Sequence, residues 1–330
     1  ALPQIIETAR HLGVTSLDSL QTQGAVSGVV HFSPDIGFKG GFLLEKSAVS
    51  GPAGFSARIE QAPVFIEPDG LRIPPASLVV GESEPATFEG RYSFAGPRLN
   101  FKVASDGMSV SALRSAALLL SAAPLPDLFS QLAGGRWSGV LTFKRDNSDS
   151  GIWSGNFEIN GGVINFPGVE GPVSISVGRG KVAGNNLVLD YLEAASEALR
   201  FQGRYAYIPG SRRPHHIAGK SSDIEAAKLE RMLLPTLRRS RGLLARTLRL
   251  PRRREVVPNW LATRRVEGNL DLESLEIFGQ RLETIKFKFY WDGPDVDVPD
   301  FSAQVAGGRL HGFLRLNLGD DGPYYKLAGR

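Results

Sequence analysis

Five histidines, His11, His31, His215, His216 and His311, are the residues of this sequence best suited to bind a metal or carry a proton. His31 and His311 fall on the polar faces of predicted strands, and His215-His216 follow Arg212-Arg213-Pro214 in what reads as a Pro/Arg loop. Adjacent side chains on a strand point apart, and a metal site needs three or four converging ligands, so the histidines predict no metal centre. Gly178-Arg179-Gly180-Lys181-Val182-Ala183-Gly184 has the composition of a phosphate loop. Its spacing is wrong and no βαβ unit follows, so it reads as a hairpin turn. Asp320-Asp321 sits in a Gly/Pro turn, and no Gly-x-Ser-x-Gly elbow occurs. The chain has no cysteine, which excludes disulfides, thiolate zinc sites, thiol nucleophiles and iron–sulfur clusters. These residues predict no reaction, cofactor or metal.

The net charge of +4 is a poor guide to partners. Residues 231–265 hold eleven arginines against the single acid Glu255, about +10, which leaves about −6 for the remainder. Within that stretch Leu237, Leu244 and Leu248 share one face of a helix. Arg238, Arg239, Arg241, Arg246 and Arg249 lie beside them as candidate contacts to anionic lipid head groups. A solvated insertion is the alternative. The absence of interleaved aromatics argues against nucleic acid. Ser222-x-x-Glu225 has the spacing of a capping box for the helix predicted there.

Most of the chain alternates apolar and polar residues between Gly or Pro turns, which is strand periodicity. Helical patterns interrupt it at about 3–12, 109–133 and 222–250. The chain also aligns on itself. Phe88-Glu89-Gly90-Arg91-Tyr92-Ser93-Phe94 matches Phe201-Gln202-Gly203-Arg204-Tyr205-Ala206-Tyr207, with a weaker copy at Leu310–Leu316. Ser27–Phe32 matches Ser138–Phe143 and Glu267–Leu272, and the first two copies are offset by 111–116 residues. Residues two apart share a strand face, so one face is apolar along the whole chain. Its candidate lining is Val30, Phe32, Phe88, Tyr92, Phe94, Phe101, Leu141, Phe143, Phe157, Phe201, Tyr205, Tyr207, Phe287, Phe289 and Leu314. Glycine, at 38 of 330 residues, recurs at matching strand positions and permits bends. About fourteen strands are expected, with too little helix to cover them.

The predicted fold is therefore mainly β with a few helices: an elongated, strongly curved antiparallel sheet, a U-shaped groove built from serial repeats. Residues 1–23 read as a helix and linker from a preceding repeat, 24–134 as repeat 1 with its closing helix, 135–265 as repeat 2 with the Arg-rich insertion, and 266–330 as a partial repeat 3. The chain starts with Ala1 and ends in a strand-like Tyr324–Arg330, so it reads as an internal piece of a longer protein. No run of about 18–20 uncharged apolar residues predicts a membrane span, and no signal peptide is recognisable.

The opening Leu2–Gly13, the strand starts of the form Gly-x-φ-x-φ, and Asp300–Gly312 with its Ala306-Gly307-Gly308 resemble AsmA-like proteins. These belong with the bridge-like lipid transfer proteins built from repeating β-groove modules. The resemblance covers nearly the whole chain and rests on serial arrangement. It implies a periplasmic protein of diderm bacteria, held at the inner membrane by an N-terminal anchor that this chain lacks. Phospholipid acyl chains would then move along the groove between inner and outer membranes, supporting outer-membrane biogenesis, with outer-membrane proteins as possible partners. The rival reading is an envelope scaffold with a closed, dry core that assists outer-membrane protein assembly. A polysaccharide-cleaving β-solenoid would need clustered carboxylates, which the repeats do not have.

Overall fold

A computed structural model describes residues 2–4, 7, 21–35, 37–51, 54–94, 96, 98–120, 131–146, 151–237, 257–277, 279–319 and 324–329. Arg238, Arg239, Arg241, Arg246 and Arg249, most of the helix predicted over 3–12, His11 and Asp320-Asp321 lie outside the described residues.

Eighteen strands dominate the described chain. They are β1 (Gln21–Ser33), β2 (Gly37–Ser50), β3 (Ser56–Glu67), β4 (Gly70–Val80), β5 (Ala86–Ser93), β6 (Arg98–Ser109), β7 (Leu132–Ala133), β8 (Arg136–Asp146) and β9 (Ile152–Ile164). They continue as β10 (Val173–Ala183), β11 (Asn186–Ala195), β12 (Arg200–Tyr207), β13 (His215–Glu225), β14 (Arg265–Ile277), β15 (Gln280–Asp292), β16 (Asp295–Val305), β17 (Gly308–Asn317) and β18 (Tyr324–Gly329). The helices are α1 (Val110–Leu120), α2 (Ala226–Met232), α3 (Leu234–Leu237) and α4 (Asn259–Ala262). The strands belong to one large sheet that does not close on itself and is mostly antiparallel. The pair β13–β14 is parallel, because α2 to α4 carry the chain back to the end at which β13 began.

Three local expectations need correction. Gly178–Ala183 is not a hairpin turn but the second half of β10, which turns only at Gly184-Asn185. Ser222–Glu225 is not a capping box but the end of β13, and Glu225 caps α2 without a side-chain bond. The parallel ladder holds these residues instead, with Asp223 beside Ser274 and Glu225 beside Glu276. Asp223 also accepts hydrogen bonds from Ser274 and Arg281. His215 and His216 are not in a loop; they open β13.

Two compact units divide the chain: Ala1–Gly162 with Lys181–Asn185, and Val163–Gly180 with Asn186–Arg330. In the first unit β1 to β6 are successive antiparallel neighbours, and β6, β8 and β9 continue the order. Pro74-Pro75 lie in the stretch of β4 where pairing with β3 lapses, since proline has no N–H to give. After β6 the hydroxyl of Ser109 accepts the Ala112 N–H at 3.2 Å, the bond of an N-cap. This starts α1, which buries Val110, Ala112 and Leu113. In the second unit β11 to β18 are neighbours in chain order. Its core of Ile224, Leu272, Ile285 and Ala303 is joined by Leu229 from α2.

The recurring strand glycines have a packing role here. The Phe289 ring lies over Gly268, its register partner, and the Phe301 ring lies over Gly312. A Cβ on Gly268 would stand 2.4 Å from Phe289 Cε1. Gly268→Val is expected to destabilise the chain by about 1–3 kcal/mol through this overlap. Adding Phe289→Ala should return part of that loss, giving a non-additive cycle in denaturant unfolding.

Candidate apolar binding face

Register settles which side chains share a face, because partners on neighbouring strands point the same way. In the first unit an outer row, close to the hairpin turns, runs Val30, Gly40, Ile66, Leu71, Tyr92, Leu99 and Arg145 from β1 to β8. Further in, Gly90, Phe101, Phe143 and Trp153 form one row, and Phe88, Val103 and Leu141 the next. Phe32 and Phe38 face each other at the β1–β2 hairpin end, with ring centroids 5.0 Å apart. Phe94 follows β5 and meets the Tyr92 ring edge-on at 6.0 Å.

The opposite face carries the charges. Lys102 pairs with Glu89 at 2.9 Å, Arg72 with Glu67 at 2.8 Å and Arg91 with Asp69 at 2.9 Å. His31 stands there opposite Lys39.

Cover on the apolar face is uneven. Phe88, Leu141, Phe143 and Phe157 are buried and Phe101 is half-buried, in the rows toward α1. The outer positions are open: Phe32 is 65% exposed, Phe38 57%, Phe94 50%, Val30 47% and Tyr92 36%. Aromatic side chains standing together in water on one sheet face are an unmet apolar surface. The candidate lining in this unit thus divides into a packed floor and an open margin. Phe38 was missed by sequence reasoning although it lies two residues before Gly40, on the same face. Arg145 was missed because a search for apolar residues passes over it, although Leu141-Phe143-Arg145 alternate onto one face.

In the second unit Tyr205, Ile217, Gly268 and Phe289 form one row, and Phe201, Ser221, Leu272 and Ile285 another. Tyr205 is buried, while Phe201, Tyr207, Phe287, Phe289 and Leu314 are half-buried. His215 also stands on this face, with Nδ1 2.8 Å from the Tyr205 hydroxyl. Segment 165–172 meets the helices near this unit's apolar residues: the Thr236 hydroxyl donates to Gly168 O at 2.6 Å, and Trp260 packs on Gly168. The Arg264 guanidinium lies between the Trp260 and Trp291 rings, 5.1 and 4.9 Å from their centroids, and donates to Pro167 O. Burial there pulls Arg264 below its usual pKa.

The polar face of this unit bears a charged network. Arg213 donates twice to Asp292, at 3.0 and 2.6 Å, and stacks over Tyr290. This bidentate bond holds the Asp292 carboxyl below its usual pKa. His216 Nδ1 lies 3.1 Å from Glu267. Beside it is a hollow of about 320 Å³, lined by residues that include Asp190, Arg204, Asn269 and Lys288. Among the described residues no group of three or more His, Asp or Glu is placed to hold a metal ion. None of the described helices is long and apolar enough to cross a membrane.

Two expectations follow from this geometry. Phe143→Ala should cost about 3–5 kcal/mol of unfolding free energy, whereas Phe32→Ser should change it by less than about 1 kcal/mol. Denaturant melts of the two variants check the division between floor and margin. For Asp292, a depressed folded-state pKa means stability that is present above the unfolded value of about 3.9 and lost as pH falls through the folded value. Asp292→Asn should be less stable at neutral pH and should lack that part of the acid limb, read as unfolding midpoint against pH.

No protein-family model matches this chain, and no curated protein matches its sequence.

Proposed function

We propose that this chain is part of a periplasmic AsmA-like protein that carries phospholipid acyl chains along an apolar β-groove between inner and outer membranes. The sheet would curve into a U-shaped trough made of serial repeats, with the head group in solvent along its seam. The full protein would be anchored in the inner membrane, and no reaction would be catalysed. The observation that carries this reading is the open margin of Val30, Phe32, Phe38, Tyr92 and Phe94 on an otherwise packed apolar face.

The physics suits such a cargo. Each methylene kept from water is worth about 0.8 kcal/mol, so a sixteen-carbon chain resists leaving apolar surroundings by roughly 13 kcal/mol. An apolar surface shared by successive strands lets the chain slide without meeting that cost at each step. Alternation alone builds such a surface, and no reactive group is needed. The Arg-rich stretch, with Arg238, Arg239, Arg241, Arg246 and Arg249, would add contacts to anionic head groups.

A second reading also has an observation in its favour. Phe88, Leu141 and Phe143 are buried. The Ile224–Leu272–Ile285 cluster is likewise packed under α2. A scaffold with a closed, dry core that assists outer-membrane protein assembly would look like this in those parts. It gives no reason for the open margin.

Photo-crosslinking residues decide between them. Placed at Phe32, Phe38, Tyr92 or Phe94 in the cellular protein, they should capture lipid, and placed at His31 or Arg91 on the polar face they should not. Capture of protein alone from all six positions would favour the scaffold and end the groove reading.

A further inference from the structure

Arg145 occupies an unusual place. The register row Val30, Gly40, Ile66, Leu71, Tyr92, Leu99, Arg145 puts it on the apolar face of the first unit, next to Phe143 along β8. No other charged side chain is a member of the rows traced across this face. It is half-buried on this face. Two arginines of the opposite face have carboxylates: Arg72 has Glu67, and Arg91 has Asp69. The Arg145 side chain makes no hydrogen bond or ion pair with any described residue. Its strand neighbours Lys144 and Asp146 point to the other face, where Asp146 stands opposite Arg98.

The guanidinium fork is shaped for two oxygens of a carboxylate or phosphate, and among the described residues no carboxylate is paired with Arg145 on the apolar face. We infer that Arg145 is an anion-binding residue of the apolar face, and that the occupant of this face is an amphiphile with a carboxylate or phosphate head. The head docks at Arg145, at the outer end of β8, and the chain lies on the apolar rows beside it. This inference rests on the apolar face holding an acyl chain. It adds that the face discriminates by head-group charge. A phosphate ester and a free fatty-acid carboxylate present the same chemistry to Arg145, and chain-matched probes separate them.

The experiment measures affinities of the full chain for palmitate, hexadecyl phosphate and hexadecanol by intrinsic tryptophan fluorescence, with wild type, Arg145→Gln and Arg145→Lys. Wild type should bind at least one anionic probe about tenfold or more tighter than hexadecanol, the worth of one charge-assisted bond. The anion gaining more names the head. Arg145→Gln should lose that preference, keep its hexadecanol affinity and melt at the wild-type temperature; Arg145→Lys should retain part of the preference. A wild type that binds hexadecanol as tightly as both anions, or an Arg145→Gln variant that keeps the full preference, overturns the inference and leaves the apolar-face reading standing. If none of the three probes binds wild type, the apolar-face reading falls, and this inference with it.

Discussion

An extended chain sends successive side chains to opposite faces, and this period of two is the constraint on which the rest of the structure depends. Register must hold across every ladder, because a slip of one residue would put a strand's apolar set among the charges. The cross-strand partners show the constraint satisfied. Phe101 meets Phe143, Val103 meets Leu141 and Leu270 meets Phe287, while Lys102 meets Glu89 on the reverse side. Irregularities fall where the alternation would otherwise break. Ser105 accepts bonds from the Gly107 and Met108 amides at the bulge in β6, so Met108 returns to the buried side facing Trp137.

A sheet with one apolar face needs a cover, and its cover here is local. Helix α1 buries Val110, Ala112 and Leu113 and meets β4, β6, β7 and β8 in the first unit, and Leu229 of α2 packs on the Ile224 cluster in the second. Aromatic rings supply some of the rest by lying over glycines, as Phe289 does on Gly268. What remains bare on this face of the first unit is the outer margin, and Arg145 shares the outer row with Val30 and Tyr92. A margin open to water beside a packed floor is suited to an amphiphile, whose apolar part can continue the floor and whose polar part can face outward.

Much of the fold was legible because alternation is a strong local signal. The facing of Phe88, Tyr92, Phe101, Leu141 and Phe143 followed from counting by two. Boundaries set by long-range pairing were not legible. Ser222–Glu225 has a helix-start pattern, but the parallel ladder to β14 claims it, and nothing local announces that ladder. His215-His216 look like loop residues beside Pro214, yet they pair with Tyr207 and Ala206. Sequence also could not separate floor from margin, because Phe143 and Phe32 close the similar segments Ser138–Phe143 and Ser27–Phe32 and differ in burial, 0% against 65% exposed. Arg145 was hidden for a related reason: its meaning depends on the apolar row it joins, not on its own type.

The most direct measurement is native mass spectrometry, with lipid extraction, of the chain purified without detergent. Bound acyl lipid, lost when Phe32 and Phe94 are both replaced by Glu in a chain that still folds, is the expected result. A lipid-free chain that stays compact and soluble without detergent would contradict it, and would mean that the apolar face is closed by protein alone.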